Sequence, residues 1–298
     1  MPTHDLTAAA AGTWTLGDRV VNRMGFGSMR LTVNSDRAVA IQVLRRAVEL
    51  GVNHVDTAAF YYSPGGILGV GSGPTRYATE LIREALSPYP DDLVITTKVG
   101  PELDPVTGYG EAATPAGLRR QVEENLRRLG RDHLDVVNLR IVKRPGRDSV
   151  AERFAALAQL RDAGLIRHLG LSNVRLDHVD EATPIAPVVC VQNSYSVDLN
   201  RTDDGLVNAC AERGIAFVPF FAIASGRREA GATAEHAEAV RAVATAHGAA
   251  PQQIRLAWTL HRGPHVLAIP GTSDPRHLEE NIAAGALRLT EEDLTQLG

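Results

Sequence analysis

Eight short apolar runs, separated by amphipathic stretches and by no linker or break in composition, constrain this 298-residue chain more than any other feature. They read GFGS, HVDT, LVITTK, LDVVNL, HLGLS, VVCVQN, AFVPFF and HVLAIP. Strands apolar on both faces must be covered on both faces. Helices alternating with such strands supply the cover as parallel βα units, in a closed barrel or an open doubly wound sheet.

The intervening stretches carry helix signals. Val39, Val43, Leu44, Ala47 and Val48 form one stripe, with Gly51 placed to end it. Thr114 can cap a helix that begins with Pro115, lines one face with Leu118, Val122, Leu126 and Leu129, and stops at Gly130. Ser149 opens a further helix ending near Ala163, and residues 206–213, 235–247, 252–260 and 275–283 are expected to be helical. A short hairpin is expected around TWTLGDRVV, and residues 1–11 read as a frayed tail.

Patterning alone does not separate barrel from open sheet; the polar residues favour the barrel. Asp56, Lys98, Arg140, Ser172, Asn173 and Gln192 all fall at or just past the C-terminal end of a strand run, and a barrel brings those ends to one mouth. An open dehydrogenase sheet would need a dinucleotide fingerprint after its first strand, and GFGSMR does not supply one. The expectation is an α/β fold, a single (β/α)8 TIM barrel domain with an N-terminal β-hairpin.

Charge and cysteine content narrow the function. A net charge of -4 and a pI near 6.2 argue against nucleic acid or a membrane surface as partner. No run approaches the roughly 18 apolar residues of a membrane span. Cys190 and Cys210 stand in apolar contexts without metal or redox spacing, which fits free thiols in a reducing cytoplasm. His236 in AEHAE reads as a solvated helix face, and no metal site is expected. GVGSGP, at 69–74, has proline where a dinucleotide loop needs glycine and lacks GK[ST], so it is no phosphate loop; 63–75 reads as an extended loop near the mouth.

The chemistry-bearing residues begin with DTAAFYY: Asp56 closes a strand and Tyr61 follows five positions later. Lys98 ends the next strand, and among the 31 Lys and Arg residues the only other lysine is Lys143. A lysine kept against so strong an arginine bias points to a role the guanidinium does not fill. A carbonyl that accepts hydride develops negative charge on oxygen and needs a proton, which free tyrosine, of pKa about 10, gives up reluctantly. A nearby ammonium favours the phenolate and strengthens the acid, and an aspartate paired with that ammonium keeps it charged.

GVNHVDTAAFYY, LVITTK, IRHLGLSN and IPGTSDPRHLEEN resemble the aldo-keto reductase superfamily over nearly the whole chain. The resemblance implies an eight-stranded barrel, NADP(H) as cofactor with NAD(H) also possible, and reduction of a small-molecule aldehyde or ketone. It places Asp56, Tyr61 and Lys98 in the family's catalytic quartet. The fourth member is usually histidine; here the position is Arg140, in LDVVNLR. Arg140 is expected either to polarise the carbonyl or to anchor an anionic group of the substrate, the alternative being a structural pair with Asp135 or Asp56.

By the same resemblance Ser172, Asn173 and Gln192 hold the nicotinamide carboxamide, with Gly27, Met29 and Asp56 also among the cofactor contacts. Phe220 stacks on the ring where the family commonly has tyrosine. Gly271, Thr272 and Ser273 wrap the adenosine phosphate, Arg276 or His277 meets a 2′-phosphate, and Glu280 and Asn281 face adenine. Many NADP-preferring relatives have lysine where this chain has Gly271. LDVVNLR and VPFF are similar to a bacterial branch that includes pyridoxal reductases, which suggests a compact aromatic aldehyde. FAIASGRREA and the Gly-rich loop depart from the usual pattern and leave a biosynthetic ketone open. The altered fourth residue also leaves open a cofactor-binding regulatory protein with little turnover, which intact Asp56, Tyr61 and Lys98 argue against. A monomer or small homo-oligomer is expected.

Overall fold

The computed structural model describes residues 6–66, 68–104, 108–112, 114–142, 148–199, 201–223 and 237–298. Lys143, His236 and much of FAIASGRREA lie outside them.

In chain order the strands are β1 (Thr13–Leu16), β2 (Arg19–Asn22), β3 (Phe26–Gly27), β4 (His54–Asp56), β5 (Tyr62–Ser63), β6 (Arg76–Tyr77) and β7 (Val94–Val99). They continue as β8 (Pro101–Asp104), β9 (Gly108–Glu111), β10 (Leu134–Arg140), β11 (Ile166–Ser172), β12 (Val188–Gln192) and β13 (Ala216–Phe217). Seven form one parallel sheet in the order β3, β4, β7, β10, β11, β12, β13. The eighth apolar run closes it through single bridges, Val266 with Phe217 on one side and Ala268 with Met24 on the other. Backbone bonds Leu267 N to Phe217 O, 2.9 Å, and Gly25 N to Ala268 O, 2.8 Å, join the two edges. Closure pairs both edges of the seven-stranded sheet with the eighth run.

Two apolar clusters follow from that closure. Leu16, Val21, Val94, Val136, Cys190, Ala216, Val218, Leu267 and Ile269 fill the barrel, with the β1–β2 hairpin supplying the plug at the floor. Residues of the opposite strand faces pack outward against the helices. These are α1 (Arg37–Glu49), α2 (Ala78–Leu86), α3 (Pro115–Leu129), α4 (Ala151–Asp162), α5 (Leu176–Ala182), α6 (Asp204–Glu212), α7 (Glu238–His247), α8 (Pro251–His261), α9 (Pro275–Ala283) and α10 (Glu291–Leu297). None is long and apolar enough to cross a membrane among the described residues.

Local signals act as their chemistry dictates. Thr114 Oγ1 accepts from Gly117 N at the start of α3, and Gly130 ends it at φ 66°. Ser149 Oγ accepts from Ala151 N as α4 begins. The α5 and α10 helices lie outside the expected set; they have seven residues each, too few to show a clear 3.6-residue period.

The expected frayed tail is corrected at its inner end. Ala8–Ala11 form a 3-10 turn in which Ala8 and Ala11 are buried, and Ala8 N donates to Leu50 O at 2.8 Å. Alanines small enough to fit beside Gly285 let this segment pack onto the barrel, where a polar tail would stay in water.

Candidate active site

Parallel register sets the site at the C-terminal strand ends. Asp56 is level with Gly27 on one side and Thr96 on the other, Lys98 is level with Asn138, Arg140 with Ser172, and Ser172 with Gln192. Strand periodicity sends Lys98 to the same face as Thr96.

Lys98 Nζ donates to both oxygens of Asp56, at 2.6 and 2.7 Å, and to Thr57 O at 3.1 Å. All three ammonium donors thereby have acceptors. Gln192 Nε2 donates to Asp56 Oδ1 at 2.7 Å. Lys98 Nζ also stands 4.8 Å from the centre of the Tyr61 ring. The loop bearing Tyr61 is pinned by Tyr61 N to Ala58 O, 3.0 Å, and Ala78 N to Tyr61 O, 2.9 Å.

The electrostatics correct one expectation. Lys98 and Arg140 do pull the Tyr61 phenol toward ionisation, but burial outweighs them and its pKa lies above the ordinary 10.0. Desolvation penalises a phenolate more than the neighbouring cations reward it, so Tyr61 holds its proton firmly until a stronger base appears. Burial likewise pulls Lys98 downward, yet Asp56 and Tyr61 together win and hold it above its ordinary value, charged.

Arg140 Nη1 donates to Ser172 Oγ at 3.1 Å, and its guanidinium carbon lies 4.6 Å from the centre of the Phe220 ring. The carboxylates considered as structural partners are engaged elsewhere. Asp135 takes Arg131 at 3.1 Å and Ile95 N at 2.9 Å, while Asp56 takes Lys98 and Gln192. Asn173, at φ 61°, donates its backbone N–H to Gln192 O and its side-chain Nδ2 to Ile141 O at 2.8 Å.

The remaining expected residues form a second group reached through Gly27 and Gly271. A Cβ on Gly271 would lie 2.5 Å from Gly27 O, and one on Gly27 2.6 Å from Ile269 O. Both positions need glycine because two backbones meet there. Met29 opens a 3-10 turn, Met29–Val33, directly after this contact. Thr272 is buried and its hydroxyl accepts from Asp274 N at 3.0 Å; Ser273 O receives Asn34 Nδ2 at 3.5 Å. Asp274 caps α9 and accepts from Arg276 N, so a carboxylate already stands where an anion was expected. Arg276 is 85% exposed, His277 half-buried, Glu280 exposed and Asn281 buried.

Residue reasoning missed His54, which lies two positions before Asp56 and faces the same interior. Its Nε2 is 3.3 Å from Thr96 Oγ1, its Nδ1 has no partner among the described residues, and burial lowers its pKa to about 4. The alternation of His54 and Asp56 along HVD was the available signal.

The site fits a nicotinamide group on one further observation. Gln192 Oε1 is fully buried and without a donor among the described residues, while its Nε2 is spent on Asp56. An amide N–H₂ beside it would satisfy that acceptor, and the Ser172 hydroxyl can still donate after accepting from Arg140.

A profile of the aldo/keto reductase family matches residues 23–298. The pyridoxine 4-dehydrogenase of Escherichia coli (strain K12) is 44% identical over 97% of this chain and 98% of its own length. An uncharacterized oxidoreductase of Schizosaccharomyces pombe is 38% identical over 97% of this chain and 90% of its own. Among solved structures, an aldo-keto reductase from Klebsiella pneumoniae in complex with NADPH superposes with a TM-score of 0.77 at 27% identity, covering 96% of this chain and 93% of the other.

Proposed function

Because the chain belongs to the aldo/keto reductase family, we propose that it interconverts an aldehyde or ketone and its alcohol with NADP(H), and that Tyr61 exchanges the proton. The observation that carries this reading is the triad at the barrel mouth, buried Lys98 bound to buried Asp56 on one side and standing 4.8 Å from the ring of half-buried Tyr61 on the other.

Bound NADPH would supply the hydride. Ser172, Asn173 and Gln192 would orient the nicotinamide, Phe220 would stack on it, and the stretch from Gly271 to Asn281 would hold the adenosine end. Tyr61 stays protonated at neutral pH and surrenders its proton when the carbonyl oxygen becomes alkoxide-like, a far stronger base than the ground-state carbonyl. Lys98 stabilises the phenolate left behind, and Asp56 keeps that ammonium charged and aimed. Arg140 donates to the reacting oxygen or to an anionic group beside it.

We infer a compact aromatic aldehyde of the pyridoxal class as substrate, on the identity shared with the pyridoxine 4-dehydrogenase and on Arg140. Pyridoxal carries an ionisable hydroxyl next to its aldehyde, and a guanidinium can bind both oxygens where a neutral imidazole offers a single donor. The test is loss of NADPH absorbance with the purified protein against pyridoxal, a neutral benzaldehyde and several ketones, with Tyr61→Phe in parallel. Turnover that Tyr61→Phe reduces by about 10²-fold or more, with NADPH affinity kept, is the expected result. Tight NADPH binding without turnover on any carbonyl would overturn the catalytic reading.

A further inference from the structure

We propose that Arg76 determines which carbonyl compounds reach Tyr61, by holding the glycine-rich segment 64–75 as a fixed wall beside the phenol. The inference rests on the reductase reading above and adds to it a positioning residue outside the cofactor and proton machinery.

Segment 64–75 has little of its own to hold it. It carries five glycines, and residues 69–75 are all exposed. Glycine gives up more backbone freedom on ordering than any other residue, so such a segment keeps one shape only where something outside it supplies partners. Arg76 supplies them. It pairs with Ser63 where β5 and β6 close the hairpin, and it is only 5% exposed. Its Nη1 donates to Ser72 O at 3.0 Å and to Pro74 O at 2.8 Å, while its Nε donates to Thr32 O at 3.0 Å, in the 3-10 turn Met29–Val33. A second tie runs alongside. Thr32 Oγ1 donates to Met29 O at 2.9 Å, so the Ser63 hydroxyl, 2.9 Å away, is the donor to Thr32.

The charge serves geometry more than stability. Among the described residues Arg76 makes no ion pair, and its buried Nη2 has no acceptor. A guanidinium desolvated without a carboxylate is a costly way to stabilise a fold, and departures of that kind concentrate where function fixes the geometry. Here the neighbouring geometry is that of the acid. Tyr61 O accepts from Ala78 N at 2.9 Å, next along the hairpin from the Tyr62–Tyr77 pair. Segment 64–75 begins three residues after Tyr61, and three residues span at most about 10 Å, so the wall is rooted beside the phenol. Arginine suits the task because its planar fork presents Nε and Nη1 in fixed directions to two separate segments, whereas an ammonium is a single point.

The test compares wild type, Arg76→Lys, Arg76→Met and Gly71→Ala on benzaldehyde and on the longer 4-phenylbenzaldehyde, with NADPH affinity read by titration calorimetry. The wild type is expected to favour the compact aldehyde in kcat/KM. Both Arg76 variants should shrink that preference roughly tenfold, the discrimination a pocket wall gives against a small added group, with NADPH affinity kept. Arg76→Lys, which keeps the charge and loses the fork, should act as strongly as Arg76→Met. Gly71→Ala displaces the same wall, since a Cβ there, at φ 103°, would stand 3.0 Å from Ser63 Cβ, and it carries the same expectation if the Arg76 variants fail to fold. Elastase should also cut Arg76→Lys after Val70, 49% exposed, faster than it cuts the wild type. Equal losses on both aldehydes, with their ratio unchanged in Arg76→Met or Gly71→Ala, would leave a merely structural residue and overturn the proposal. So would full selectivity in Arg76→Lys, or cleavage there no faster than in the wild type. A wild type that binds NADPH yet turns over neither aldehyde nor pyridoxal sinks the reductase reading itself.

Discussion

Lys98 Nζ lies 2.6 and 2.7 Å from the two carboxylate oxygens of Asp56, and both side chains are almost wholly buried. Such a pair is costly to assemble and costlier to break, because each charge left alone has surrendered its water. Lys98→Met should lower unfolding free energy by about 3–5 kcal/mol, and Asp56→Asn in that background should restore part of the loss. Denaturant unfolding of the two single variants and the double variant measures this. A double variant as unstable as the sum of the singles would show that the two charges do not stabilise one another.

Arg140 is expected to select among substrates by charge. A charge-assisted hydrogen bond contributes about 1.5–3 kcal/mol, or roughly 10- to 100-fold. Arg140→His should cut kcat/KM by that factor for aldehydes bearing an ionised oxygen and by much less for neutral ones. Steady-state kinetics on matched pairs decides; equal losses on both would remove the anchoring role and leave only polarisation of the carbonyl.

His54 should make stability pH-dependent in a defined window. Its folded pKa, about 4, lies below the ordinary 6.5 because burial penalises the imidazolium. Below pH 6.5 the unfolded chain takes up a proton that the folded chain refuses, so stability is full above pH 6.5 and drains away as pH falls toward 4. The loss attributable to this group is about 3 kcal/mol. The difference in unfolding free energy between wild type and His54→Leu isolates it, since His178 and His265, also shifted downward by burial, cancel in the comparison. A pH-independent difference would mean His54 does not titrate as its burial implies.

Arg23 should be irreplaceable by lysine. Its guanidinium donates to four carbonyls, of Ala11, Leu260, Gly263 and Val266, and so ties the N-terminal turn and the end of α8 to the closing strand. A lysine ammonium has three donors on a flexible stem and leaves acceptors unpaired at about 1–3 kcal/mol each. Thermal unfolding of Arg23→Lys should show a clear fall in Tm. A Tm matching the wild type would mean that water replaces the lost donors at no cost.

Much of the barrel was legible because its signals are local. The eight apolar runs, the Thr114 cap and the Gly130 stop each depend on a few neighbouring residues, and Asp56 and Lys98 were marked by lying at strand ends. The short α5 and the buried turn at Ala8–Ala11 were not legible, since seven or four residues show no period and their burial depends on surfaces far along the chain.

By itself the sequence determined which residue types stand at the strand ends, and with them an alternating fold and a site of acid, phenol and ammonium. Tertiary structure decided how those groups affect one another. Gly27 and Gly271, hundreds of positions apart, are glycines because closure presses one backbone on the other. Gln192 turns to Asp56, Arg140 bridges Ser172 and Phe220, and Tyr61 ends up a weaker acid than its neighbouring cations alone would make it. Charge type is written along the chain, but distance and desolvation, which set the size and even the sign of an electrostatic effect, exist only once the barrel has closed.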